Sequence, residues 1–148
     1  MKQKYLWMIG LVLVLVLALS ACGGSSTAAP EVAAPVAAAA DGALNLPDTV
    51  DAQTVYDIKD RADVVVFDVR EQDEYDAGHI PGVTLIPLGE VPNRLSEIPK
   101  DKTVIMTCRS GNRSGQAADF LRQNGYTNVH NMEGGIVAWQ QAGLPVEN

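Results

Sequence analysis

The sequence holds 148 residues, enough for one domain of ordinary size plus extensions. Acidic residues outnumber basic ones by 18 to 11, and the formal charge of −7 argues against nucleic acid and anionic lipid as partners. The 2 cysteines and 2 histidines form no ligand-spaced set with carboxylates, so no metal site is expected.

The first 22 residues stand apart from the rest. Lys2 and Lys4 are followed by an apolar run from Leu6 to Leu19, broken only by Gly10. Leu19-Ser20-Ala21-Cys22 then places small residues before a cysteine, the form of a bacterial lipoprotein processing site. The reading is a lipoprotein signal peptide over 1–22, with Cys22 lipidated as the first residue of the mature chain. A plain secretory peptide and an uncleaved anchor are the alternatives, since the stretch from Tyr5 to Ala21 sits at the short limit for spanning a bilayer. Lysines stay on the cytoplasmic side, so a lipidated or anchored chain is exported and membrane-tethered, as a periplasmic or cell-surface protein. Which membrane holds the lipid is left open.

Residues 23–45 are almost entirely Gly, Ser, Ala and Pro, from Gly23-Gly24-Ser25-Ser26 through Ala37-Ala38-Ala39-Ala40. Without large apolar side chains, such a segment reads as a flexible tether spanning about 25 Å. The remainder, 46–148, reads as one folded domain. Without Lys2 and Lys4 the processed chain keeps 9 basic residues against 18 acidic ones. If Cys22 carries lipid, Cys108 is its only thiol, which leaves no internal disulfide and no resolving cysteine.

Within the domain, Asp51 is placed to cap a short helix from Ala52 to about Asp60, with Val55 and Ile58 facing inward. Val64-Val65-Val66-Phe67 is a continuous apolar run, as in a parallel strand covered on both faces, and it ends at Asp68-Val69-Arg70. A short acidic helix, about 71–77, stops at Gly78. After the Ile80-Pro81-Gly82 turn come a short strand, Val83 to Ile86, and a helix near Val91 to Glu97. The strand beginning at Thr103 leads into Cys108-Arg109-Ser110-Gly111-Asn112-Arg113-Ser114, and a helix then runs to Asn124 with Gly125 past its end. A strand over Thr127 to His130 and a last helix, Ile136 to Ala142, close the chain. No internal repeat is visible. Alternating strands and helices of these lengths give an α/β fold with a mainly parallel sheet and helices on both faces.

The loop at 108–114 carries the chemistry. A strand, a tight turn and a helix start put the Cys108 thiol before the positive end of a helix and several unpaired backbone N–H groups. Arg109 and Arg113 add positive charge, and Gly111 supplies the backbone freedom that lets N–H groups converge. Each effect favours thiolate, so Cys108 is expected to be a nucleophile with a lowered pKa. Asp68 and Arg70, opposite charges at a strand end, are expected to pair and fix structure near the site. His79 is a base by residue type, but its turn setting favours packing or hydrogen bonding.

The loop resembles the active-site loop of the rhodanese (sulfurtransferase) family. Asp68-Val69-Arg70-Glu71, Gly78-His79-Ile80-Pro81-Gly82, and Glu133-Gly134-Gly135 followed by Trp139 match in the same order, over about 48–146. The resemblance implies a rhodanese-like fold in which Cys108 takes the outer sulfur of a donor such as thiosulfate and holds it as a persulfide. A thiophilic acceptor (cyanide, a thiol or a protein) then removes it, with no cofactor beyond that covalent intermediate. Arg109, Ser110, Gly111, Asn112, Arg113 and Ser114 are the expected substrate-binding set, with Asp68, Arg70 and His79 structural nearby. Two other readings stand beside this one. A non-catalytic module that carries persulfide sulfur to a partner would have the same loop. Phosphatases and arsenate reductases of related fold resemble Cys-x5-Arg; here Arg113 comes one residue too early and Ser114 occupies that place.

Overall fold

The computed structural model describes residues 44–148. The expected signal peptide, Cys22 and all but the last two residues of the expected tether lie outside the described residues. Among the described residues five strands form one parallel sheet: β1 (Thr49–Val50), β2 (Val64–Asp68), β3 (Thr84–Leu85), β4 (Thr103–Thr107) and β5 (Val129–Met132), in the order β1-β5-β4-β2-β3. Among the described residues, the α-helices α1 (Ala52–Ile58), α2 (Gln72–Asp76) and α3 (Asn112–Gln123) lie between strands, and α4 (Gly135–Gln141) follows β5. Among the described residues, no helix is long and apolar enough to cross a membrane.

Side-chain alternation along the strands divides the interior into two cores. Phe67, Val104, Met106 and Val129 pack with Ala117, Ala118 and Leu121 of α3. Val64, Val66, Ile105 and Met132 pack with Val55 of α1 and with Ile136 and Trp139 of α4. The α/β reading with helices on both faces therefore holds. Central strand β4 is buried along its whole length, which is why Thr103-Val104-Ile105-Met106-Thr107 reads as one unbroken apolar run. Cys108 continues the Val104–Met106 parity and enters the α3-side core.

Most local expectations are met at the ends where a cap decides them. The Asp51 carboxylate accepts from the Thr54 N–H at 2.9 Å and starts α1, and Gly125 ends α3 at φ +82°. The helix expected near Val91 to Glu97 is instead a pair of 3₁₀ turns, Leu88–Asn93 and Leu95–Glu97. Pro92 inside the first has no N–H for an α-helical ladder, so the tighter turn prevails. The last strand lies two residues later than expected, at Val129–Met132, and β1 was not foreseen. Two residues paired to β5, Thr49 with Asn131 and Val50 with Met132, are too few to leave a periodic signal.

Asp68 and Arg70 form a buried ion pair at the end of β2, 1% and 4% exposed, with 2.6 Å between charged atoms. The Asp68 carboxylate also accepts from the Arg70 backbone N–H, while the guanidinium donates to the carbonyls of Glu74 and Gly78, each at 2.9 Å. The pair thus staples α2 and the following turn to the sheet. Removing one partner strands the other charge in the core, so Asp68→Ala is expected to cost about 3–5 kcal/mol. Asp60→Ala, which removes an exposed partner of Lys59, should cost under about 1 kcal/mol, both variants being read by denaturant titration.

Candidate active site

Cys108 follows directly on β4, and its sulfur faces the start of α3. The chain turns at Gly111, whose φ of +89° only glycine adopts without strain, and α3 begins at the next residue. The Gly111 N–H donates to the Cys108 Sγ at 3.1 Å, and the Ser114 hydroxyl lies 3.3 Å from the same atom. The residue as a whole is 1% exposed. Burial pushes the thiol pKa up, but the Ser114 hydroxyl and the backbone N–H groups of Ser114, Ser110 and Gly111 outweigh it, and the net direction is down.

Helix α4 holds the loop from behind. The N–H of Ile136 donates to the Cys108 carbonyl at 2.8 Å, and that of Val137 to the Arg109 carbonyl at 3.2 Å. In a trans peptide the carbonyl and the next N–H point opposite ways, so drawing the Arg109 carbonyl to α4 turns the Ser110 N–H toward the sulfur. Such an approach requires glycine at 135: an added Cβ would meet the Arg109 carbonyl carbon at 2.6 Å and the Cys108 carbonyl oxygen closer still. Gly134-Gly135 is therefore the loop's back wall. Trp139 is fully buried, with its indole N–H donating to the Pro145 carbonyl.

The two loop arginines diverge. Arg113 turns to α2, where its guanidinium makes a bidentate pair with Glu74 at 2.6 and 2.8 Å. That pair holds the Glu74 carboxyl at about 2, mainly through the Arg113 hydrogen bonds. Arg109 is exposed and, among the described residues, pairs with no carboxylate. It lines a cleft of about 320 Å³ with Arg70, Glu74, Ala77, Ile136, Val137 and Gln140. Ser110 and Asn112 are exposed on the loop, and Ser114 is buried beneath it. His79 stacks on Tyr75 with ring centroids 3.8 Å apart, donates from Nδ1 to the Tyr75 carbonyl at 3.1 Å, and bridges the tail at Glu147. It packs against Tyr75. Among the described residues no His, Cys, Asp and Glu gather into a set that could hold a metal.

A cysteine cradled between two helix starts at a β-strand end invites comparison with known proteins. The family model for the rhodanese-like domain matches residues 51–142. The chain belongs to that family. Over 89 residues the rhodanese-like domain is 46% identical to a sulfurtransferase of Allochromatium vinosum, covering 60% of this chain and 83% of that one. The thiosulfate sulfurtransferase GlpE of Pseudoalteromonas translucida is 36% identical over 91 residues, covering 62% and 86% respectively. A crystal structure of a rhodanese-related protein from Thermoplasma volcanium superposes with a TM-score of 0.62 at 34% identity, over 68% of this chain and 98% of that one.

One residue of this rhodanese-like site escaped the sequence reading. Asn131 of β5 takes the Ser114 hydroxyl at 2.6 Å on its Oδ1. Its signal was a polar residue where β5, in register with Met106 of β4, turns toward α3; ending the strand at His130 hid it.

The Glu74–Arg113 pair gives a pH signature. Glu74 has a folded pKa of about 2 against an ordinary 4.5, so its stabilisation is complete above 4.5 and lost as pH falls from there toward 2. Glu74→Gln is expected to remove part of the acid-induced loss of stability in that window, read from denaturant midpoints at stepped pH. An unchanged slope would remove the pair from the account.

Proposed function

We propose that the protein is a sulfurtransferase that moves a sulfane sulfur from a small anionic donor such as thiosulfate to a thiophilic acceptor through a persulfide on Cys108. The observation that carries this reading is the Cys108 sulfur itself, buried yet surrounded by hydrogen-bond donors that favour its anion. In the first half-reaction the Cys108 thiolate attacks the outer sulfur of thiosulfate. A new S–S bond forms as the old one breaks, and sulfite leaves with the electron pair; the negative charge passes to the outer persulfide sulfur. In the second, a thiolate or cyanide attacks that outer sulfur, and Cys108 departs as thiolate. Neither step needs a general acid, because sulfite and thiolate both leave as anions. Donors already aimed at the sulfur cost no reorganisation during either step.

Arg109 is the residue proposed to hold the donor's anionic end, since it is the loop charge without a partner and faces the cleft. Arg113 contributes through the wall it forms with Glu74. A phosphatase reading loses weight on the same observation, because an arginine committed to a carboxylate is poorly placed to clamp a tetrahedral oxyanion. The burial of Cys108 favours a second reading, a persulfide carrier that delivers sulfur to a partner protein. Fast turnover with thiosulfate and cyanide alone would exclude it.

The test is the mass of the full-length protein after incubation with thiosulfate. One added sulfur atom, removed by cyanide and absent from Cys108→Ser, is the expected result. Arg109→Ala should need at least about tenfold more thiosulfate for the same loading. A folded, reduced protein that gains no sulfur from thiosulfate would overturn thiosulfate as donor, and loading retained in Cys108→Ser would overturn the mechanism.

We further propose that this activity works outside the cytoplasm, tethered to a membrane by lipid on Cys22 through the Ala/Pro/Gly/Ser segment. The support is the Lys2/Lys4 start, the apolar run and the small residues before Cys22. Cys22→Ala is expected to move the protein from the membrane pellet to the supernatant. A variant that still pellets would point to an uncleaved helix instead.

A further inference from the structure

The Ser114 hydroxyl has one proton and two acceptors. It stands 2.6 Å from the Asn131 Oδ1 and 3.3 Å from the Cys108 Sγ, and it cannot donate to both at full strength. Asn131 is held in place by β5: its backbone is in register with Met106 of β4 on one side and Thr49 of β1 on the other. Its amide lies against Gly115, where an added Cβ would come within 3.4 Å of Nδ2. A side-chain amide is unusual in offering an acceptor and a donor from one rigid group, exchanged by half a turn about its last bond.

We propose that Asn131 is a positioning residue for the reactive sulfur, turning the Ser114 hydroxyl between its own amide and Cys108 as the charge on that sulfur changes. When the sulfur is uncharged, as thiol or as the inner atom of a persulfide, the hydroxyl donates to the Asn131 Oδ1. When Cys108 is a thiolate, the hydroxyl donates to Sγ, and the turned amide donates an N–H to the Ser114 Oγ. Each state leaves the hydroxyl with one acceptor, and only the proton of Cys108 is exchanged with solvent. The proposal rests on the reading of Cys108 as nucleophile. Gly111 donates a fixed backbone N–H in every state, so Ser114 is the donor that is able to follow the charge.

Charged groups on the elements packed around the loop are Arg109 beside the cysteine, Arg113 of α3 with Glu74 of α2, the Asp68–Arg70 pair of β2, and Glu133 on the β5–α4 turn. None is altered in the test. The pH midpoint of alkylation at Cys108 by iodoacetamide, located by peptide mass spectrometry in the full-length protein, reads the thiolate without any sulfur transfer. Asn131→Asp supplies an acceptor that never donates, and should raise that midpoint by about one unit, a tenfold loss of thiolate below it. In a Ser114→Ala background the rise should shrink to the part due to the added charge alone. Asn131→Leu, which removes the competing acceptor and the supporting donor together, should shift the midpoint by less, and should leave it unmoved once Ser114 is alanine. Shifts of equal size in both backgrounds, or no shift in a folded Asn131 variant, would overturn the proposal. Failure of the nucleophile reading is distinguishable, because it appears as an absent sulfur adduct in the unaltered protein whatever the alkylation midpoints show.

Discussion

The carbonyls of Cys108 and Arg109 are bonded to the first turn of α4, and the arrangement of the site depends on that contact. With the Arg109 oxygen drawn backward, the Ser110 N–H that follows it has the other side to point to, and the sulfur lies there. The two helix starts therefore do opposite work. The N–H groups of α4 satisfy the loop's acceptors, and the start of α3, through Gly111 and Ser114, presents donors to the reactive atom. Glycine at 135 and at 111 is the steric condition for both, since any Cβ at 135 would push the loop off α4.

Electrostatics then divide among three arginines with separate tasks. Arg70 is sunk against Asp68 and braces α2; Arg113 is tied to Glu74 on that same helix; Arg109 is left open at the cleft. Among the described residues, Arg109 is the cation beside Cys108 that pairs with no carboxylate, so in an acidic chain it offers an anion a local attraction. The thiolate does not draw on the arginines for its main support. Burial disfavours it, and short-range donors from the loop and Ser114 more than offset that penalty. Guanidinium groups paired to carboxylates are weak sources of field, whereas aligned N–H groups at about 3 Å are strong ones.

Much of this was legible in the sequence, and for identifiable reasons. Asp51, Gly125 and the Val64 and Thr103 runs carry local signals, a cap, a left-handed stop and unbroken apolarity, that survive into the fold. The position of Cys108 between strand and helix was equally readable. Relations across the chain were not. Arg113 meets Glu74 across 39 positions, and Gly135 meets Cys108 across a whole strand–loop–helix unit, so no spacing rule announces either. Asn131 was hidden by an error of two residues in the end of β5. The helix near Val91 failed on a local fact, Pro92, that the pattern of apolar residues outweighed.

The same geometry bears on what the loop accommodates. A ring built to hold a tetrahedral oxyanion leaves its centre open and turns an arginine into it. Here the donors converge on the sulfur of Cys108, the closing arginine faces outward to α2, and the sixth residue after the cysteine is a serine that reaches the sulfur itself. A cradle filled by one sulfur atom suits cargo that is added to that atom and removed from it. In the proposed persulfide chemistry, each half-reaction would move negative charge between inner and outer sulfur by one S–S bond length, about 2 Å. Fixed N–H groups favour charge at the inner position, and a hydroxyl free to rotate is suited to release it when the charge moves outward. A rigid cradle that bound the thiolate too well would make Cys108 a reluctant nucleophile. Mixing fixed and adjustable donors around one buried atom avoids that trap, which is a physical reason for a serine, rather than another backbone turn, at this point of α3.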